Sequence, residues 1–93
     1  MTTHAIVTLN ITSPDKIAAY REKAADALAK HGGQVVQASK DLVLIEGASQ
    51  LPHMAAVLAF PDQNAALAWK NDPELQDIHA LRQGSGESTI ILL

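Results

Sequence analysis

Six side chains in this sequence combine a type and a place that could do chemistry: Tyr20, His31, Glu46, Trp69, His79 and Arg82. Tyr20 and His31 fall on one side of a helical repeat, about three turns apart. Tyr20 could donate to a ligand oxygen, and His31 could act as a base or a metal ligand. His79 and Arg82 are three residues apart on a second helical stretch, a spacing that lets both hold one carboxylate or other anion. Trp69 could wall a pocket. Glu46 closes an apolar run, and a carboxylate buried there could serve as general acid or base. Each has a plainer alternative. Tyr20 and Trp69 can be core aromatics, and His31 can sit at a helix C-terminus in favour of the dipole. Arg82 can cap a helix end or pair with a surface acid, and Glu46 can be solvated at a strand end.

Other chemistries are argued against by what surrounds these residues. The four histidines, His4, His31, His53 and His79, are unpaired at helical or turn spacing. No H-x-E or H-E-x-x-H occurs, so no metal and no haem or other cofactor is expected. His53 has no recognisable partner. There is no cysteine, which removes thiolate nucleophiles, disulfides and Cys-type zinc sites. Gly84-Ser85-Gly86 lacks the strand-turn-helix context of a nucleophile elbow and reads as a flexible loop. The formal net charge is −3 and aromatics are only 3%, which leaves neither a basic patch nor a stacking platform for nucleic acid. No apolar run reaches membrane-spanning length and Met1 to His4 is short and polar, so a cytoplasmic protein without a membrane partner is expected.

The elements that position these residues can be read from periodicity. Ala5, Val7, Leu9 and Ile11 fall on one face and Ile6, Thr8 and Asn10 on the other, which predicts a strand over 5–11. Ser13-Pro14-Asp15 is a helix start, with Ser13 as cap, and Gly32-Gly33 a stop. Between them Ile17, Tyr20, Ala24, Leu28 and His31 recur at helical spacing. Gln34 to Ala38 and Leu42 to Glu46 read as two strand segments, a hairpin around Ser39-Lys40-Asp41 or one bent strand. Met54 to Phe60 is continuously apolar between prolines, the mark of a central strand buried on both faces. Pro61-Asp62 opens a short helix carrying Trp69, and Asp72-Pro73-Glu74 starts another with Leu75, Ile78 and Leu81 as its apolar stripe. Gln83 to Gly86 is a loop, and Ser88 to Leu93 a last strand.

The length of 93 residues sets one domain, residues 1–93. The order β-α-β-β-α-β is that of an α+β, ferredoxin-like sheet with its helices on one face. Its other face would be wet in a monomer, yet Met54 to Phe60 and Leu42 to Ile45 show no polar side. A second, identical sheet is the simplest cover, which makes a homodimer through the sheet face the expected assembly.

In this order the chain resembles the DUF1330 family of the dimeric α+β barrel superfamily. The residues that carry the likeness are Thr12-Ser13-Pro14 leading to Tyr20-Arg21, Lys30-His31-Gly32-Gly33, Leu58-Ala59-Phe60-Pro61 and Ala68 to Gln76, with Arg82 and Ile90-Ile91-Leu92. The resemblance spans essentially the whole chain. It implies a ferredoxin-like dimeric barrel, of unknown function, with a space between sheet and helices where relatives in the superfamily hold small ligands, some as cofactor-free enzymes. Two readings follow. One is a dimer that binds a small organic, and in view of Arg82 anionic, molecule in that space. The other is a non-catalytic dimeric accessory module with a packed interior, favoured by Ala59, Lys70 and Leu75 where family members carry polar or aromatic residues.

Overall fold

The structure, a computed structural model, describes residues 2–93. Four strands, β1 (Thr3–Ile11), β2 (Gln34–Ser39), β3 (Met54–Phe60) and β4 (Gly86–Leu92), pair antiparallel in the order β2-β3-β1-β4. Helices α1 (Pro14–Ala29), α2 (Gln63–Asn71) and α3 (Gln76–Gly84) connect them, with a single 3₁₀ turn (Pro73–Leu75) before α3. Placing β3 between β1 and β2 is the split βαβ arrangement expected from the order of elements.

Alternation decides which side of β1 meets the helices. Ala5, Val7 and Leu9 are buried together with Leu58 and Phe60 of β3. Ile17 and Leu28 of α1, Ala66 and Trp69 of α2, and Leu75 close over them. The Phe60 and Trp69 rings lie 5.5 Å apart. Burying side chains of this size contributes roughly 1.5–3 kcal/mol each before entropy is charged against it. α1 ends where Gly32 takes φ 72°, a conformation open to glycine at no steric cost. α2 starts at Asp62, whose carboxylate accepts from the Ala65 amide at 2.8 Å.

Four expectations need correction. Leu42 to Glu46 is not a strand: residues 40–53 form an irregular connection, with Val43 81% and Ile45 95% exposed. An apolar run alone cannot tell a strand from a segment that finds no partner strand within its own chain. Ser13 does not cap α1 with its side chain. Its amide instead donates to the Ser85 carbonyl, as does that of Thr12. Gln83 to Gly86 is not a flexible loop, since α3 runs to Gly84, Ser85 is wholly buried and β4 begins at Gly86. Finally, β3 is not buried on both faces within one chain. Leu58, Ala59 and Phe60 are buried, but Ala55 and Val57 are only half-buried.

The helix-free face carries a row of apolar residues set by register: Val57 opposite Ile6, and Ile6 opposite Ile91. Ile91 is 55% exposed. β2 is an edge strand, exposed along most of its length, and its register shifts between Val35 and Gln37.

Candidate functional site

Leu75, His79 and Arg82 recur at four and three residues, so one side of the 3₁₀ turn and α3 faces inward. Leu75 is an ordinary core residue there, but His79 and Arg82 are polar and each only 1% exposed. The end of α3 is fixed from two sides. The Ser85 Oγ donates to the Arg82 carbonyl at 2.6 Å, and the Ser85 carbonyl receives the amides of Thr12 and Ser13. This ties Arg82 to the start of α1.

The Arg82 guanidinium then reaches three neutral acceptors. Nε donates to Ser88 Oγ at 3.2 Å, and Nη1 donates to the Tyr20 hydroxyl at 3.3 Å and to His79 Nδ1 at 2.9 Å. It lies 5.5 Å from the ring centres of both Tyr20 and Trp69. Among the described residues no carboxylate pairs with it. Since His79 Nδ1 accepts, its proton sits on Nε2, which donates to the Trp69 carbonyl at 2.9 Å. Burial holds the His79 imidazole below its ordinary pKa, and the neighbouring Arg82 charge acts in the same direction. His79 is therefore a neutral fixing element that orients the guanidinium, its ring set edge-on to Trp69 at 4.7 Å.

Arg82 and Tyr20 border a cavity of about 280 Å³ between α1 and the sheet. Its other walls are aliphatic: Val7 and Leu9 of β1, Ala24 and Leu28 of α1, and Ala56 and Leu58 of β3. β2 contributes Val35 and Ala38, which share this side of the sheet because of the bulge between them. Arg21, exposed, lies at the side of Met54, to whose Sδ its Nη2 donates at 3.5 Å. The volume is near the lower bound for small-molecule pockets, roughly 300 Å³.

The structure thus brings Tyr20, His79 and Arg82 together. Trp69 stands against Arg82 and His79 but faces a different, smaller cavity of about 190 Å³ beside α2. His31 and Glu46 are elsewhere. His31 lies beyond the end of α1, and its Nε2 meets Asp72 at 2.8 Å. Asp72 also pairs with Lys30 at 2.8 Å and accepts from the Glu74 amide. Hydrogen bonds from Lys30 and His31 hold the Asp72 carboxyl well below the usual carboxylate range, and the bonds Lys30 donates to Asp72 and Glu74 raise its own pKa. This cluster fastens α1 to the turn before α3. Glu46 is exposed in the 40–53 connection. Among the described residues no group of three or more His, Cys, Asp or Glu could hold a metal.

Sequence reasoning weighed Ser85 only as part of a loop and did not single out Ser88, though both position Arg82, nor the alanines that leave the cavity open. Nor did it find a partner for His53, whose Nδ1 accepts from the Ile11 amide at 2.7 Å.

A four-stranded antiparallel sheet with helices over one face defines an α+β protein of the ferredoxin-like kind. The family model described as "Domain of unknown function (DUF1330)" matches residues 2–93, and the chain belongs to that family. No curated protein matches it. Among solved structures it is similar to the protein of unknown function RPA0582 from Rhodopseudomonas palustris. The identity is 21% over 99% of this chain and 80% of that one, with a TM-score of 0.74. It is also similar to a dimeric ferredoxin-like protein of unknown function from Jannaschia sp. CCS1, at 17% identity over 100% and 98% of the two chains, TM-score 0.68. A third is SnoaB, a cofactor-independent oxygenase from Streptomyces nogalater, at 14% identity over 99% and 88%, TM-score 0.62. At these identities the likeness is one of fold.

Proposed function

We propose that the protein is a cytoplasmic homodimer that binds a small organic molecule in the cavity between α1 and the sheet. The observation that carries this reading is the cavity itself, aliphatic on its walls and polar at one place, where Tyr20 and Arg82 converge. The cavity opens to solvent past Val35 and Ala38, and the small side chains of Ala24, Ala38 and Ala56 leave it room that larger residues would fill. Such a site orients an apolar ligand by its one polar end. SnoaB shows that a similar fold can carry cofactor-free oxygenase chemistry, and that is the class of reaction to assay here once a ligand is in hand. The alternative of a packed accessory module has no comparable observation in its favour.

The dimer is supported by the outer sheet face. Ile6, Val57 and Ile91 form an apolar row there, and structural neighbours such as the Jannaschia protein are described as dimeric. Two such faces brought together would take this row out of water.

Calorimetric titration with 1-hexanol tests the binding reading. Saturable binding by the wild type, lost in Ala24→Leu while its circular dichroism is unchanged, is the expected result. Absence of binding by 1-hexanol and by hexanoate alike, or equal binding by the variant, would rule the cavity out.

A further inference from the structure

We infer that the ligand of this cavity is an organic anion, a carboxylate carried on an apolar tail. This rests on the reading that the cavity binds a small molecule and specifies which class.

The first ground is charge. A guanidinium is a permanent cation, and burying one without a counter-ion is costly. Arg82 is 1% exposed, and its three acceptors, Ser88, Tyr20 and His79, are all neutral. The Tyr20 and Trp69 rings at 5.5 Å offer their faces but no charge. Among the described residues, the charged side chains that line the cavity are Arg82 and Arg21, both cations, with no carboxylate between them.

The second ground is unused hydrogen-bonding capacity. Tyr20 accepts from Arg82, yet its own hydroxyl proton finds no acceptor among the described residues. Nor does the second terminal nitrogen of Arg82. A free hydroxyl proton and a free guanidinium nitrogen suit the two oxygens of a carboxylate, and a guanidinium suits it better than any other cation. The third ground is the rest of the wall. Val7, Leu9, Leu28 and Leu58 offer nothing to a fully hydrated inorganic ion, but they would take up a hydrocarbon chain.

The test compares hexanoate, 1-hexanol and inorganic phosphate by calorimetry at one ionic strength, using the whole chain. Hexanoate should bind about 10- to 100-fold more tightly than 1-hexanol, the worth of one charge-assisted contact. Tyr20→Phe should weaken hexanoate about 3- to 10-fold and leave 1-hexanol unchanged. Arg82→Met should bring hexanoate to the level of 1-hexanol or below; if that variant does not fold, Tyr20→Phe decides. Equal affinities for hexanoate and 1-hexanol in the wild type would overturn the anion inference and leave the binding site standing. Phosphate binding as tightly as hexanoate would overturn the apolar tail. If none of the three binds, the binding reading falls and this inference with it.

Discussion

A charged residue that serves only the fold is expected to have its partner within the fold, and losing one member of a buried ion pair costs about 3–5 kcal/mol. Arg82 has no such partner among the described residues. Its removal should therefore act differently. Arg82→Met sheds the desolvation cost of the cation but loses the three hydrogen bonds it donates, so unfolding in urea should show a loss smaller than that of a broken buried ion pair, under about 3 kcal/mol. A loss of about 3 kcal/mol or more would make Arg82 a structural residue. His79 supplies a second prediction. Its folded pKa is lowered, so the folded chain refuses a proton that the unfolded chain accepts below about pH 6.5. Stability contributed by His79 is complete above that value and is lost as pH falls toward the depressed one, at up to about 1.4 kcal/mol per pH unit. Urea midpoints measured between pH 7.5 and 5.5 should fall more in the wild type than in His79→Gln. Parallel slopes would mean that His79 titrates normally in the fold. At this scale the sequence showed the right residue types but not their burial. Arginine is almost never fully buried, so the pattern assigns the dry stripe of this helix to Leu75, Ile78 and Leu81, and spacing alone does not show that His79 and Arg82 are buried as deeply as Leu75.

Among the elements, the tie between the start of β4 and the end of β1 leaves no room for a side chain. Gly86 has φ 148°, and a Cβ placed on it would run into the Asn10 carbonyl and stand 3.0 Å from the Thr12 amide. Gly86→Ala should cost more than about 2 kcal/mol, or prevent folding, through strain and through release of the Ser85 contacts that hold Arg82. Thermal melting near that of the wild type would contradict this. The strands and helices were largely legible, because β1 alternates, Asp62 and the two prolines at helix starts mark their boundaries, and Gly32 marks a stop. What the pattern could not supply was a partner for Leu42 to Ile45. Its residues have the composition of a strand, but pairing depends on the rest of the sheet, and here β3 is already flanked by β1 and β2. The bulge in β2 was equally hidden, although it is what brings Val35 and Ala38 to the cavity side.

At the scale of the whole molecule, the two faces of the sheet meet different surroundings, and neighbouring residues of β3 report on each. Leu58 points to the helices and is 4% exposed, while Val57 points to the open face. Leu58→Asp should unfold the chain. Val57→Asp should leave it folded and shift it toward monomer in size-exclusion chromatography with light scattering. A folded Val57→Asp that stays a dimer would place the interface elsewhere. The most direct measurement of the central claim is a heteronuclear NMR titration of the labelled wild type with 1-hexanol. Binding in the cavity predicts saturable shifts gathered at Tyr20, Ala24 and Leu28 of α1 and at Val35, Ala56 and Leu58 on the facing strands. Shifts gathered at Ile6, Val57 and Ile91, or beside α2, or no saturable shifts with either 1-hexanol or hexanoate, would contradict it.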